Sequence, residues 1–256
     1  MIKRDSRGES TITPIKQDNL RGLLRTHFMV CKGIMARMKF VDQTYHWFDI
    51  TAGCGHDECG NPGSATIFYE EAIRAGINFK AVMIDLNEDH CRQLNEKIPQ
   101  GDNIDIRCGD HNQILPEYFG ESTQWKLGMI YADANGIPSF DILAKASRVN
   151  SFKRTDILIN CPATAIKRKG ASRVELCDSI NAINKKEWVI RTPKGAWQWS
   201  FLIGSNWMDF PAWQTQGFYS IRTDMGKLVM AYISKTKQEM AECQMKLWPT
   251  ARMNSI

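Results

Sequence analysis

Hydrophobic and polar positions follow two rhythms along this chain. Between residues 19 and 41, Leu20, Leu23, Leu24, His27, Phe28, Val30, Cys31, Ile34, Met35 and Met38 recur at helical spacing, with Asp18 as a cap. Beyond that, short apolar runs alternate with helical stretches. Tyr45–Thr51, Phe79–Ile84, Ile104–Arg107, Leu127–Ala132 and Asp156–Asn160 read as strands, and Ser64–Ala75, Asn87–Lys97, Phe140–Val149 and Ser172–Asn184 as helices. Gly76 stops the first of these helices. The pattern closes on a hairpin: Phe218–Arg222, a turn at Thr223–Gly226, and a strand Lys227–Ser234. Strands alternating with helices predict an α/β fold, Rossmann-like and doubly wound, with a mostly parallel seven-stranded sheet and a C-terminal antiparallel hairpin. The chain divides into an N-terminal arm and helix (1–41), a main domain (42–237) with a Trp-rich insert at about 185–217, and a polar, helical tail (238–256).

In an open α/β sheet the ligand lies outside the carboxyl ends of the strands, where the strand order reverses. The residues just past each strand therefore come first. Strand one ends in Asp49 and runs into Ala52-Gly53-Cys54-Gly55. Strand two delivers Asp85-Leu86, strand three Gly109-Asp110-His111 and strand four Asp133. Acids at the ends of four successive strands, beside one glycine turn, mark a nucleoside pocket. Gly53 and Gly55 let the backbone turn tightly and approach a ligand. Asp85 suits two ribose hydroxyls and Asp110 an exocyclic adenine amine. Asp49 suits either the glycine loop or a ligand's ammonium.

The dinucleotide fingerprint requires a third glycine, and Glu58 stands in its place. His56-Asp57-Glu58 also puts two carboxylates where a pyrophosphate needs backbone donors. A sulfonium carrying an amino-acid tail has an ammonium and no phosphate, so S-adenosylmethionine (SAM) is the cofactor expected.

At this point the residues reach a resemblance. Asp49-x3-Gly53-x-Gly55, Asp85, Gly109-Asp110 and Asp133 resemble the cofactor motifs of class I SAM-dependent methyltransferases. Ala52-Gly53-Cys54-Gly55 with Gly60-Asn61-Pro62-Gly63-Ser64, Ala132-Asp133-Ala134-Asn135-Gly136 and Asp156-Ile157-Leu158-Ile159-Asn160-Cys161-Pro162 are similar, in this order, to the three-Cys-motif partner family of phage and mobile elements. The resemblance implies that Asp49, Ala52, Gly53, Gly55, Asp85, Leu86, Asp110, His111 and Asp133 hold SAM. It also implies that Asp133 and Asn135 position an acceptor amine. Amino-directed DNA methyltransferases carry Asp/Asn-Pro-Pro-aromatic after strand four. Here the prolines and the aromatic are missing, and Phe140 is the nearest aromatic replacement.

Charge and aromatics bear on the partner. Net charge is +5, compatible with a nucleic acid without requiring one. Lys167-Arg168-Lys169 begin a basic run near the predicted active face, suited to phosphates or simply to a solvated helix entrance. Five of the eight tryptophans fall between 188 and 213: Trp188, Trp197, Trp199, Trp207 and Trp213. Trp197 and Trp199 are the pair that strand alternation puts on one face, for base stacking, with core or lid packing as the alternative. Basic residues of the 19–41 helix face solvent or substrate.

The expected activity is methyl transfer to a nucleic acid, DNA ahead of RNA, with adenine N6 as the acceptor to test first. Two other readings stay open: a catalytically silent methyltransferase-like subunit that binds nucleic acid or a protein partner, and a small-molecule methyltransferase. Cys161-Pro162 follows strand five, the wrong place for a cytosine-attacking thiolate, and reads as a buried thiol. Cys54, His56 and Cys59 lack a second Cys/His pair, so no metal is expected. The N-terminus shows no apolar core of a signal, no run reaches membrane-span length, and the eight scattered cysteines read as reduced thiols, all pointing to a cytoplasmic protein.

Overall fold

The computed structural model describes residues 13–38, 41–57, 60–120, 124–134, 136, 139–168, 173–192, 199–207 and 217–234. One eight-stranded sheet runs through it: β1 (Val41–Asp49), β2 (Phe79–Asp85), β3 (Ile104–Cys108), β4 (Trp125–Ala132), β5 (Thr155–Pro162), β6 (Glu187–Arg191), β7 (Trp199–Ser205) and β8 (Phe218–Ser220). Their spatial order is β3-β2-β1-β4-β5-β7-β6-β8. The first five strands are parallel. β7 then pairs antiparallel with β5 and β6, and β8 antiparallel with β6. The order reverses between β1 and β4, which places the crevice there.

Among the described residues eight helices flank the sheet: α1 (Thr13–Arg37), α2 (Ser64–Ala75), α3 (Glu88–Lys97), α4 (His111–Ile114), α5 (Phe140–Arg148), α6 (Ala163–Arg168), α7 (Arg173–Ala182) and α8 (Asp224–Ser234). Strand alternation sorts the core into two layers. Tyr45, Trp47, Met83, Met129, Tyr131 and Leu158 join α1 and α2 on one face. Phe48, Val82, Ile84, Ile130, Ile157 and Ile159 join α5, α7 and α8 on the other.

The expected α/β doubly wound architecture is present, with four differences. The sheet has eight strands, because the Trp-rich insert itself supplies β6 and β7. The expected second strand of the hairpin is the helix α8: Thr223 Oγ1 accepts the Gly226 N–H (3.2 Å), and Asp224 sits in the first turn. Its run Val229–Ile233 is buried, and helical packing serves that burial as well as a strand would. The first helix starts at Thr13, six residues before Asn19, because Pro14 suits a first turn whose N–H groups have no helical partner. It ends at Arg37, and β1 begins at Val41, with a register shift against β4 between Val41 and Tyr45. The tail after Ser234 lies outside the described residues. Among the described residues no helix is long and apolar enough to cross a membrane.

α1 packs its apolar face on the sheet, as its periodicity predicts. Leu20, Leu23, Leu24 and Phe28 are buried against the sheet. Beside them His27 meets the Tyr45 hydroxyl (Nδ1, 2.8 Å) and Asp156 (Nε2, 3.1 Å). Three basic residues of α1 turn to α2: Arg21 pairs with Glu70 and Glu71, Arg25 with Glu71, and Lys32 donates to the Ala75 carbonyl.

Candidate functional site

The carboxyl ends of β1 to β4 open on a cleft of about 730 Å³. Its floor is the loop after β1. Gly53 and Gly55 have φ of 63° and 79°, a region that side chains disfavour. A Cβ on Gly55 would come 2.8 Å from Leu94 Cδ1 and 3.0 Å from Thr66 Oγ1, so only glycine lets the loop settle onto α2 and α3. The Thr66 hydroxyl ties to the Gly55 carbonyl (2.7 Å), and the Gly63 N–H donates to the same carbonyl (2.8 Å).

Asp49 lies under this loop, fully buried. Its Oδ2 accepts from the Ser64 hydroxyl (2.6 Å) and its Oδ1 from the Thr51 N–H (3.1 Å). Burial pushes its carboxyl up to about 7, against the pull of those two bonds. The two bonds tie the start of the loop after β1 to the first residue of α2.

Asp85 stands opposite. Its Oδ2 accepts the Gly53 N–H (2.9 Å), while Oδ1 accepts the Asn87 N–H (2.9 Å) and contacts His90 Nδ1 (3.0 Å). The carboxylate thus sets the angle between the glycine loop and the β2–α3 turn. Leu86 follows on the cleft wall, strongly exposed at 76%. Asp110 caps α4: its Oδ1 accepts from both the N–H and the side-chain amide of Asn112 (2.8 Å each), and the backbone bond in particular holds its carboxyl below the usual range. His111 Nε2 meets the Ser139 hydroxyl (2.7 Å), and burial lowers its pKa.

Asp133 closes the cleft beyond β4. Its N–H donates to Thr51 Oγ1 (2.7 Å), and its Oδ1 accepts from the side-chain amide of Asn160 at the end of β5 (2.6 Å). Oδ2 accepts from the Tyr131 hydroxyl (3.0 Å) and from the ammonium of Lys16. Burial raises the Tyr131 pKa well above its ordinary value, so this phenol stays a proton-bearing donor.

Ala52, Gly53, Gly55, Asp85, Leu86, Asp110, His111 and Asp133 therefore line one cleft, with Asp49 beneath it. The sequence reading missed Lys16, Ser64, Tyr131, His90 and Asn160. Position at a strand end was the available signal for Asn160; Lys16 carried none. The substrate residues fare differently. Asn135, Lys169 and Trp197 lie outside the described residues. Lys167 and Arg168 are the last two residues of α6. Trp199 is a core residue, 8% exposed and edge-to-face with Phe201 (5.1 Å), rather than a stacking platform. Trp188 is buried as well, and Trp207 sits over the Arg154 guanidinium (4.4 Å). Phe140, the expected stand-in aromatic, packs against the core. Burial pushes the Cys161 thiol up to about 12, as befits an inert core cysteine. Among the described residues no group of three His, Cys, Asp or Glu side chains is placed to hold a metal.

No family model matches the chain, and no curated protein matches it in sequence. Its fold is similar to that of a probable spermidine synthase from Corynebacterium glutamicum, with a TM-score of 0.51 and 13% identity, covering 84% of this chain and 70% of that one. It is also similar to a Legionella pneumophila protein of the DUF519 family model, with a TM-score of 0.50 and 12% identity, covering 84% and 93%. A putative methyltransferase from Streptococcus mutans in complex with SAH superposes more loosely, with a TM-score of 0.43 and 14% identity over 80% and 99% of the two chains. At these identities what is shared is the fold: a Rossmann-like α/β sheet, mostly parallel, with antiparallel strands toward the C-terminus. The narrower resemblance to the three-Cys-motif partner family rests on the sequence motifs alone.

Proposed function

We propose that the protein is a SAM-dependent methyltransferase of class I. One observation carries this reading: Asp85, Asp110 and Asp133 line a single cleft around a positive-φ glycine loop, with Asp49 buried directly below. A cleft walled by carboxylates favours a cation and repels phosphates. SAM carries a sulfonium and an ammonium, and the cleft volume is ordinary for a ligand of its size. The Streptococcus mutans structure, solved with SAH, is consistent with the same cofactor class.

In this reading the glycine loop and Asp85 hold the cofactor's sugar, Leu86 covers its base, and Asp110 and His111 border the base edge. SAM, when bound, supplies a methyl group activated on sulfur. The chain's own contribution is alignment: Asp133, fixed from below by Thr51 and from the side by Asn160, accepts an N–H of the acceptor and points its nitrogen into the cleft. Asn135 is assigned to the same acceptor role by the sequence motif alone. We further propose that the amine belongs to a nucleic acid, DNA ahead of RNA and adenine N6 first, and that the motif order places the protein near the three-Cys-motif partners. A catalytically silent subunit is the second reading, favoured by the half-buried Phe140, which packs against the core and is to that extent taken up by the protein itself.

The test is methyl-labelled SAM incubated with the protein and DNA, RNA or free deoxyadenosine. Label in DNA, lost in Asp133→Ala, is the expected result. SAM binding without label in any nucleic acid would refute the acceptor class and favour the silent subunit.

A further inference from the structure

The contact between Lys16 and Asp133 joins residues 117 positions apart and is not needed to pack α1, which is already held by its buried leucines and by the Glu71 clasp. Lys16, Gln17 and Leu20 all line the ligand cleft. The Lys16 and Asp133 side chains are 25% and 21% exposed, so the pair sits within the mouth rather than on open surface. Around the ammonium stands a fixed set of polar groups. Tyr131 shares the same carboxylate oxygen, Asn160 holds the other one, and Thr51 anchors the backbone. Tyr131 and Asn160 are neutral and almost completely buried; they orient the carboxylate without cancelling its charge. Among the described residues the balancing charge comes from the flexible Lys16 side chain, and lysine gives it up more readily than a bidentate arginine would.

Resting on the reading of Asp133 as the acceptor end of the cleft, we infer that Asp133, Tyr131 and Asn160 form a subsite for an amino group, and that Lys16 is its tethered occupant. An acceptor amine enters by taking the place of the Lys16 ammonium, and the first turn of α1 is the gate. The ligand chemistry is an N–H-bearing amine; an alkyl ammonium and an exocyclic base amine are the two sources to separate. The price of the tether is a lowered apparent affinity, in proportion to the fraction of time the seat is free.

Two measurements test this without SAM. In lysine footprinting with acetic anhydride, Lys16 of the full chain should be acetylated more slowly than the exposed Lys80 and Lys97, and Asp133→Asn should bring it to their rate. In calorimetric titrations, n-butylammonium and deoxyadenosine are added separately to the wild type, Lys16→Ala, Lys16→Gln and the double variant Lys16→Ala/Asp133→Asn. At least one probe should bind both Lys16 variants about tenfold more tightly than the wild type, the factor expected if Lys16 fills the seat about nine-tenths of the time, and the double variant should lose it. Which probe gains names the source of the amine. Acetylation of wild-type Lys16 at the Lys80 rate, or no gain for either probe in folded Lys16 variants, overturns the inference. A SAM titration of the same proteins keeps the two claims apart. SAM bound normally with no amine gain removes the subsite alone; loss of SAM binding everywhere removes the cofactor reading, while the amine titrations still decide the subsite.

Discussion

Glu71→Gln tests whether α1 is held as one wall of the cleft. Glu71 is 1% exposed, and its two oxygens receive four guanidinium N–H groups: Arg21 at 3.2 Å, Arg25 at 2.8 and 2.9 Å, and Arg74 at 2.7 Å. Charge-assisted bonds contribute about 1.5–3 kcal/mol each when desolvated. The Arg25 and Arg74 side chains are 53% and 60% exposed, so water screens them and their pairs count for roughly 0.5 kcal/mol apiece. Arg21, at 20% exposure, retains most of its bond. The glutamine keeps the shape, removes the charge and turns one N–H donor toward the arginines, so a loss of about 2–3 kcal/mol is expected. In a chain of this length that is a fall of roughly 5–10 °C in midpoint, read by circular dichroism on heating at neutral pH. The pH dependence supplies a second check. The hydrogen bond from Arg25 above all holds the Glu71 carboxyl below its ordinary 4.5, so its stabilisation is present above that value and is lost as pH falls through the lowered one. Wild type and variant should therefore converge in acid. A neutral-pH difference below about 0.5 kcal/mol would show that the clasp is ordinary surface pairing and would refute the reasoning.

Backbone approach gives a harsher prediction. A Cβ on Gly128 would lie 1.8 Å from the His46 carbonyl oxygen, at the β1–β4 seam, so Gly128→Ala should fail to yield folded protein on expression. Gly204→Ala, with its Cβ 2.5 Å from the Trp188 ring, should lower the melting midpoint; an unchanged midpoint would mean the indole is not fixed there. The buried Asp49 should make cofactor binding depend on pH. Its folded pKa of about 7 lies above its ordinary 3.8, so stability is lost as pH rises between those values, and a bound cation favours the ionised form. SAM affinity should therefore rise as pH climbs through about 7, and Asp49→Asn should flatten the profile; a wild-type profile already flat would contradict it.

The parallel half of the sheet was legible because each strand is an apolar run with a polar stop, and parallel pairing aligns those stops along one edge. Asp49, Asp85, Asp110 and Asp133 could be placed from this alone, and Gly53 and Gly55 added the turn. What the sequence hid depends on long-range packing. Leu228 to Ile233 is continuously apolar, a pattern that does not separate helix from strand. Thr223 as a cap and Asp224 after it were the local signs of a helix. The tryptophans of the insert invited a stacking role, but β7 is an interior strand, and Trp199 is buried where β5 and β6 flank its strand. Lys16 looked like part of a polar lead-in; only the docking of α1 brings its ammonium to Asp133.

The central claim is that this cleft binds SAM, and calorimetry on the purified protein tests it most directly, with Asp85→Ala as the comparison. Saturable SAM binding by the wild type, lost or greatly weakened in an Asp85→Ala protein with a native circular dichroism spectrum, is the result the account predicts. No heat of binding to the wild type, with DNA present or absent, would contradict it and leave the fold as a Rossmann-like binding module for another ligand.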